Sequence, residues 1–431
     1  MTFAKPVIAT ALLSCLVVTL TACSGSEPES KDGTVTLVFR QFDPESEVRG
    51  LATVVDAWNR DNPRVQVEMQ TLSPNNVQQF AREANAGTGP DINQIGYSDV
   101  EFLATPRILL PLDEHLSKDP LPEGTKEGLL ATDMVTFEGK TWAMPWTADT
   151  MALVYNPKAL SAAGVKDPPA TWEQLAADAR QISSSSAGKT SGFCFPASGS
   201  ATSAGWFAIN YYLWAHGGTL VRKDSAGNWQ TGATPQQLAA AIQFFTDLFA
   251  SGAVPKANQA VQDYSDPTIS NGLATGSCAM TYQPPATFAA LREKAEQAGT
   301  ALTTAPMPSG LTDGATHLGG RALGINRNTE HPAEAWSFVK YLMSATTFKT
   351  YDQYPASAET LEDLPVPEAQ QGYVEQLPHS RSFARYIGSE MTIASMQQLV
   401  NQRCSAVYSG QQTSAQAAAD ILKGLAEGLK G

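Results

Sequence analysis

Strand-like alternation and helix-like spacing of apolar residues take turns along the first hundred residues. Residues 34–42, TVTLVFRQF, alternate apolar with polar side chains and predict a strand. Residues 46–60 place Leu51, Val54, Val55 and Trp58 at helical spacing, and Asp61-Asn62-Pro63 stops that helix. VQVEM at 65–69 predicts a second strand, 74–86 a second helix, and 92–95 a short third strand behind Gly87-Thr88-Gly89-Pro90-Asp91. Strands that alternate with helices predict βαβ units and a mostly parallel sheet.

The middle of the chain is organised around residues 141–158, TWAMPWTADTMALVYNPK. Its apolar run, Met151 to Tyr155, ends at Asn156-Pro157 and reads as a buried strand entering a turn. The polar and aromatic residues before it suit the mouth of a ligand crevice. Thr171 is placed to cap a helix beginning at Trp172. Ser183 to Ser186 reads as a short polar loop. Further helices are expected at 204–218, at 234–252 with a Thr234/Gln237 capping box, and at 332–345. Two more are expected within 404–430, separated by Ser409-Gly410.

The N-terminal 22 residues have a different character. Lys5 precedes an apolar stretch from Ile8 to Leu20, and Leu20-Thr21-Ala22-Cys23 has the form of a lipoprotein cleavage site. Residues 1–22 are therefore expected to be a signal peptide, with Cys23 lipidated. Residues 23–33 would be a flexible tether, leaving a protein held outside the cytoplasmic membrane by its lipid. The rest of the chain is long enough for two domains.

The chain carries 29 Lys and Arg against 42 Asp and Glu. With no basic cluster, this argues against nucleic acid and against a polybasic membrane surface. No Gly-x-Ser-x-Gly or His-Glu-x-x-His is present, and the five His are scattered. Gly188-Lys189-Thr190 resembles the end of a phosphate-binding loop, but Ser183 stands where that loop needs glycine. No metal, no cofactor and no catalytic set is expected. A glycosidase would need only two carboxylates, and no pair stands out.

Gly139-Lys140-Thr141-Trp142, Pro145, Tyr155-Asn156-Pro157-Lys158 and Pro168 to Leu175 (PPATWEQL) occur in an order and spacing that identify a resemblance. The chain resembles the extracellular solute-binding proteins of ABC importers, in the sugar-binding class that includes the maltose-binding and actinobacterial trehalose-binding proteins. The resemblance runs from residue 34 to 425. It implies a two-lobe α/β fold of the type II periplasmic-binding-protein kind, each lobe a mostly parallel sheet flanked by helices, with the ligand cleft at the hinge. Lobe I would be 34–148 plus 304–350, and lobe II 149–303 plus 351–425. The implied function is capture of a sugar or small oligosaccharide and delivery to the permease by a monomer that performs no chemistry. A non-sugar solute such as a polyol phosphate is the alternative, and an extracellular carbohydrate-active enzyme a more distant one. Of the cysteines that would remain, Cys194 and Cys278 fall in segments of the same implied lobe and are the expected disulfide pair; Cys404 is the other candidate.

Sugars are bound by aromatic rings against their C–H faces and by planar polar groups against their hydroxyls. The resemblance places such contacts at Gln41 and Asp43, at Tyr97, Ser98 and Asp99, and at Asp149 where the chain changes lobe. Asp43 could instead start the turn at Pro44, and Asp99 could cap the next helix. Trp146 is a stacking candidate or a core residue, and Trp206 is the one aromatic of its helix assigned to the crevice. After Met280 the class often has a Trp that is missing here; Tyr282 or Phe288 would substitute, with Gln283 at the amide position. Gly319 and Gly320 would let backbone approach a ligand. Arg321 would bind hydroxyls or pair with an acid across the cleft. Arg381, rather than Arg385, is the last expected contact.

Overall fold

The computed structural model describes residues 33–72, 76–121, 125 and 128–430. The expected signal peptide and Cys23 lie outside the described residues. Among the described residues no helix is long and apolar enough to cross a membrane.

Two sheets form the frame. In the first, the strand order is Val65–Thr71, Val35–Gln41, Ile92–Gly96, Leu318–Ile325 and Met144–Thr150. Val35–Gln41 runs parallel to both its neighbours, whereas Leu318–Ile325 is antiparallel to Ile92–Gly96 and to Met144–Thr150. The second sheet is ordered Thr303–Ala305, Ala152–Tyr155, Cys278–Gln283 and Ser191–Phe193. Ala152–Tyr155 is antiparallel to both its partners, and Ser191–Phe193 is parallel to Cys278–Gln283. Each sheet thus has one strand reversed against the rest. The alternating pattern predicted the parallel strands of the first sheet but carried no sign of the reversed one.

The helix Glu45–Asp61 buries the predicted face, with Leu51, Val54, Val55 and Trp58 packed on the first sheet beside Phe39, Trp336 and Phe338. Burial of such side chains contributes roughly 1.5–3 kcal/mol each. In the second lobe the helices Gly205–Ala215, Pro235–Ala250, Ile393–Tyr408 and Ser414–Gly428 close one core around Trp172 and Phe245. The capping box at Thr234 has both its arms, and Thr171 caps the helix Trp172–Ser185. That helix includes Ser183, Ser184 and Ser185, which read as loop. Their hydroxyls are absorbed locally: Ser184 and Ser185 donate to carbonyls three residues back, and Ser183 Oγ accepts from Gly192 N at 2.9 Å. Cys194 and Cys278 form a disulfide with Cα atoms 6.3 Å apart, and Cys404 is free and buried.

The chain passes between the sheets at residue 151, again between Ala305 and Leu318, and again after Val366. Residues 354–366 remain against the first lobe, beyond the boundary expected at 350: Ala148 N donates to Tyr354 O, Ala356 N to Trp146 O, and Leu361 lies in the first-lobe core. Tyr373 is the first large side chain of this stretch fully within the second-lobe core.

Candidate functional site

The C-terminal ends of the parallel strands and the start of the reversed strand share one edge of the first sheet, which faces the second lobe. Open α/β sheets build ligand crevices at this edge. Strand Val35–Gln41 delivers Phe42 and Asp43 to it, Ile92–Gly96 delivers Tyr97 and Asp99, and Met144–Thr150 carries Asp149 near its end. Register then fixes the neighbours: Arg321 lies opposite Gly96 and Thr147, and Gly319 opposite Asp149.

The two glycines are required by space. A Cβ on Gly319 would sit 2.3 Å from Asp149 Oδ1, and one on Gly320 would sit 2.1 Å from Thr147 O, where φ is also +125°. The Asp149 carboxylate therefore rests on bare backbone. It is half-buried and, among the described residues, accepts no hydrogen bond from a protein donor. Burial pushes its pKa above the aspartate range, opposed by the nearby Arg321 charge. Asp99 is also half-buried, and burial raises its pKa. It does not cap the helix Val100–Ala104, whose start has no side-chain cap bond. Ser98 beside it is exposed. Across the crevice, from the second lobe, comes Tyr264, whose hydroxyl is pushed up to about 12 by burial and by the charges of Asp263 and Asp149.

Arg321 is engaged inside the first lobe. Its Nε lies 3.2 Å from Asp43 Oδ1 and its Nη2 3.1 Å from Glu47 Oε2, while its guanidinium sits 5.7 Å from the centre of the Phe42 ring. Asp43 has no exposed side-chain surface and accepts further from Gln94 Nε2 at 2.7 Å and from the Tyr351 hydroxyl. Burial raises the Glu47 pKa, which Arg321 opposes. Asp43 and Arg321 thus form a closed ionic knot that backs the crevice.

Several expected contacts lie in the interior instead. Gln41 is fully buried, its amide donating to Thr71 Oγ1 at 2.5 Å and accepting from Asp43 N at 2.6 Å. Trp146 is core: its ring stacks on Tyr351 at 4.9 Å and its Nε1 donates to Leu342 O at 2.8 Å. Trp206 is buried against Phe383, with ring centroids 4.3 Å apart. Tyr282 is fully buried with its hydroxyl turned to Ala204 O, and Phe288 is buried with Tyr373, so neither offers an open platform. Gln283 is buried and donates to Tyr264 O at 2.7 Å, so it braces the crevice tyrosine. Tyr97 is buried with its hydroxyl on Thr147 O at 2.8 Å.

Arg381 is half-buried and, among the described residues, its side chain forms no hydrogen bond or ion pair. With Thr312, Asp313, His379, Ser380 and Arg385 it lines a cavity of about 290 Å³. A second cavity of about 240 Å³ opens between Tyr97, Asp133 and Phe137 of one lobe and Lys223 and Arg385 of the other. At its rim Arg385 Nη2 lies 2.9 Å from Asp133 Oδ2, an ion pair that bridges the lobes. The sequence did not single out Glu47, Tyr264 or Asp133. Glu47 alone left a signal, lying in the first turn of the helix that begins just after Asp43. Among the described residues no three or more His, Cys, Asp or Glu side chains are grouped so as to hold a metal ion.

The family model described as bacterial extracellular solute-binding protein matches residues 44–347. A putative binding protein of Brucella abortus (strain 2308) is 25% identical over 292 residues, 67% of each chain. The maltodextrin-binding protein of Bacillus subtilis (strain 168) is 27% identical over 342 residues, 76% of this chain and 74% of that one. Among solved structures, the cyclic alpha-maltosyl-1,6-maltose binding protein from Arthrobacter globiformis superposes with a TM-score of 0.74 at 19% identity, covering 92% of this chain and 100% of that one. The GacH receptor of Streptomyces glaucescens, solved unliganded and with acarbose, gives a TM-score of 0.69 at 23% identity over 92% of this chain and 99% of its own. At these identities the structural likeness speaks for the two-lobe fold. The match over residues 44–347, with strand-end carboxylates gathered at the junction of two lobes, places the protein: the chain belongs to the bacterial extracellular solute-binding proteins.

Proposed function

We propose that this protein is the extracytoplasmic capture subunit of an ABC importer and takes a sugar or small oligosaccharide between its lobes. Export would leave it lipid-anchored at Cys23 as a monomer that hands its ligand to the permease unchanged. The observation that carries this reading is the Asp149 carboxylate, lying on the bare backbone of Gly319 with no donor among the described residues. A half-buried carboxylate with open acceptor positions is costly when empty and suits the hydroxyl donors of a polyol. Asp99 repeats the arrangement at the end of Ile92–Gly96, on the other side of the reversed strand, and Tyr264 supplies a ring from the opposite lobe. The named ligands of the relatives, maltodextrin and a cyclic maltosyl-maltose, are of the same chemical kind.

The test is a thermal-shift screen of the exported protein carrying Cys23→Ser against mono-, di- and trisaccharides, polyols and glycerol phosphates. A ligand at ~100 times its dissociation constant adds ~2.7 kcal/mol. We expect one sugar family to raise the melting temperature and Asp149→Ala to abolish that rise. A rise with phosphorylated polyols alone would favour the second reading, an anionic solute, for which the unpartnered guanidinium of Arg381 speaks. Turnover of a glycoside would overturn the non-enzymatic reading.

A further inference from the structure

Hydroxyls from the first two stretches that join the sheets meet that of Ser380, which lies between Leu377 of the first-lobe core and Phe383 of the second-lobe core. Thr150 Oγ1 lies 2.6 Å from Thr316 Oγ1 and 2.5 Å from Ser380 Oγ, and the last two are 3.4 Å apart. Ser380 Oγ lies 3.1 Å from Gln376 O. Each hydroxyl has one proton to donate. The arrangement that gives every proton an acceptor runs from Thr316 to Thr150, from Thr150 to Ser380, and from Ser380 to the Gln376 carbonyl. Thr150 and Thr316 are buried, and Ser380 is half-buried.

The backbone around this relay is also pinned. Arg381 N donates to Thr316 O at 2.7 Å and Leu318 N to Arg381 O at 3.0 Å. Gln376 Nε2 donates to Gly314 O at 2.7 Å, while its Oε1 accepts from Met307 N at 2.7 Å. Thr150 is held in the strand ladder opposite Leu318, and its side chain is what reaches Ser380. Valine would fill the same space in a buried strand, so packing alone does not call for hydroxyls at these positions.

We propose that Thr150, Thr316 and Ser380 are positioning residues for ligand capture. Their relay fixes how one lobe is rotated against the other, and so sets the fraction of molecules in the binding-competent arrangement without touching the ligand. This rests on the solute-capture reading. A rotation that moved one connecting stretch by about 1 Å would carry these O–H···O pairs out of bonding range. The arrangement the relay favours is the one in which Asp133 and Arg385 meet across the cleft mouth. Removing one bond should shift the equilibrium between the two arrangements by about fivefold, and apparent affinity falls with the competent fraction.

The test uses the exported protein carrying Cys23→Ser, spin-labelled at two exposed positions: Lys140→Cys, paired in a strand with Phe137 on one side of that mouth, and Ala226→Cys, three residues after Lys223 on the other. Inter-label distances are measured without ligand. We expect Thr150→Val to raise the ratio of long- to short-distance molecules about fivefold and Thr150→Ser to keep the parental distribution. Ser380→Ala, at a half-exposed site, should act as Thr150→Val does and serves where the latter folds poorly. Once a sugar is identified, its Kd should rise in Thr150→Val and Ser380→Ala by the ratio in which the short-distance fraction falls. An unchanged distance distribution in both variants, or a Thr150→Ser shift equal to that of Thr150→Val, overturns the proposal. If the parent binds no sugar, the capture reading falls while the distances still decide the relay.

Discussion

Arg321 offers the sharpest separation between a ligand contact and a structural ion, and Arg321→Met is the perturbation that shows it. Methionine keeps much of the stem and removes the charge, leaving Asp43 with no exposed side-chain surface and Glu47 with 11%. Breaking a buried pair from one side costs about 3–5 kcal/mol, because a charge is left without compensation. The lower end applies here. Asp43 retains Gln94 Nε2 and the Tyr351 hydroxyl as donors, and Glu47, whose pKa burial already raises, can take up a proton. A loss of about 3 kcal/mol lowers the melting temperature by roughly 6–12 °C in a unit of lobe size.

Calorimetry on Arg321→Met, Asp43→Asn and the double variant forms the assay. The knot requires a coupling of at least 1–2 kcal/mol between the two sites. The pH dependence follows from the sign of linkage. Carboxyl groups whose folded pKa is raised favour the folded state below their unfolded pKa, and that advantage is lost as pH rises through the folded value. The Arg321→Met deficit should therefore be smaller at pH 4.5 than at pH 8. A variant that melts within about 2 °C of the parent at pH 8 yet loses its sugar would refute the knot and return Arg321 to the ligand.

Two further tests address other parts of the fold. The His317 ring lies between Phe207 and Phe383, and burial lowers its pKa from 6.5 to about 4. The unfolded chain therefore binds the proton first, and stability present above pH 6.5 is lost as pH falls towards 4. The full shift corresponds to about 3.4 kcal/mol; the ring keeps some solvent contact, so His317→Phe should flatten the stability–pH curve over this range by about 2 kcal/mol, and an unchanged slope in urea titrations would count against the enclosed ring. Replacing Cys194 and Cys278 together by Ala opens a loop spanning 84 residues. The chain-entropy model gives a loss of up to about 4.5 kcal/mol, and a calorimetric loss below about 1 kcal/mol would show that the unfolded chain gains little freedom.

What could be read from the sequence was local. Thr171, Thr234 and the spacing of Leu51, Val54, Val55 and Trp58 each act within one or two turns, so they were visible before any fold existed. Strand ends were visible for the same reason, which is why Asp99 and Asp149 stand at the crevice edge. Which face a side chain takes is a tertiary matter. The helix Gly205–Ala215 is apolar all round, and nothing in its pattern tells that Trp206 turns to Phe383 rather than to the cleft. Trp146 sits in a strand whose two faces are both buried, so alternation gives no guide there either. Polar residues misled in the opposite way: Gln41, Asp43 and Gln283 look like ligand groups because they are polar at strand ends, but Gln41 and Asp43 are consumed by internal bonds and Gln283 gives its Nε2 to Tyr264 O, leaving only its Oε1 without a partner among the described residues. The partners that consume them, Thr71, Gln94, Arg321 and Tyr264, are far away in the chain.

The reversed strand Leu318–Ile325 links the proposed crevice to the joint between the lobes. Thr316 and His317 precede it at the joint between lobes. Gly319 and Gly320 then make room for Asp149 and Thr147, and Arg321 reaches to Asp43 and Glu47. A strand paired on both sides moves as a unit, so a rotation at Thr316 is carried along its first residues. Asp149 lies on one of those pairs and one residue before Thr150, the centre of the hydroxyl relay. The carboxylate best placed to hold a ligand and the hydroxyl best placed to hold the lobe angle are thus adjacent in the chain. On the proposed reading, occupation of the first would be coupled to the geometry of the second through one peptide bond, with no longer pathway required.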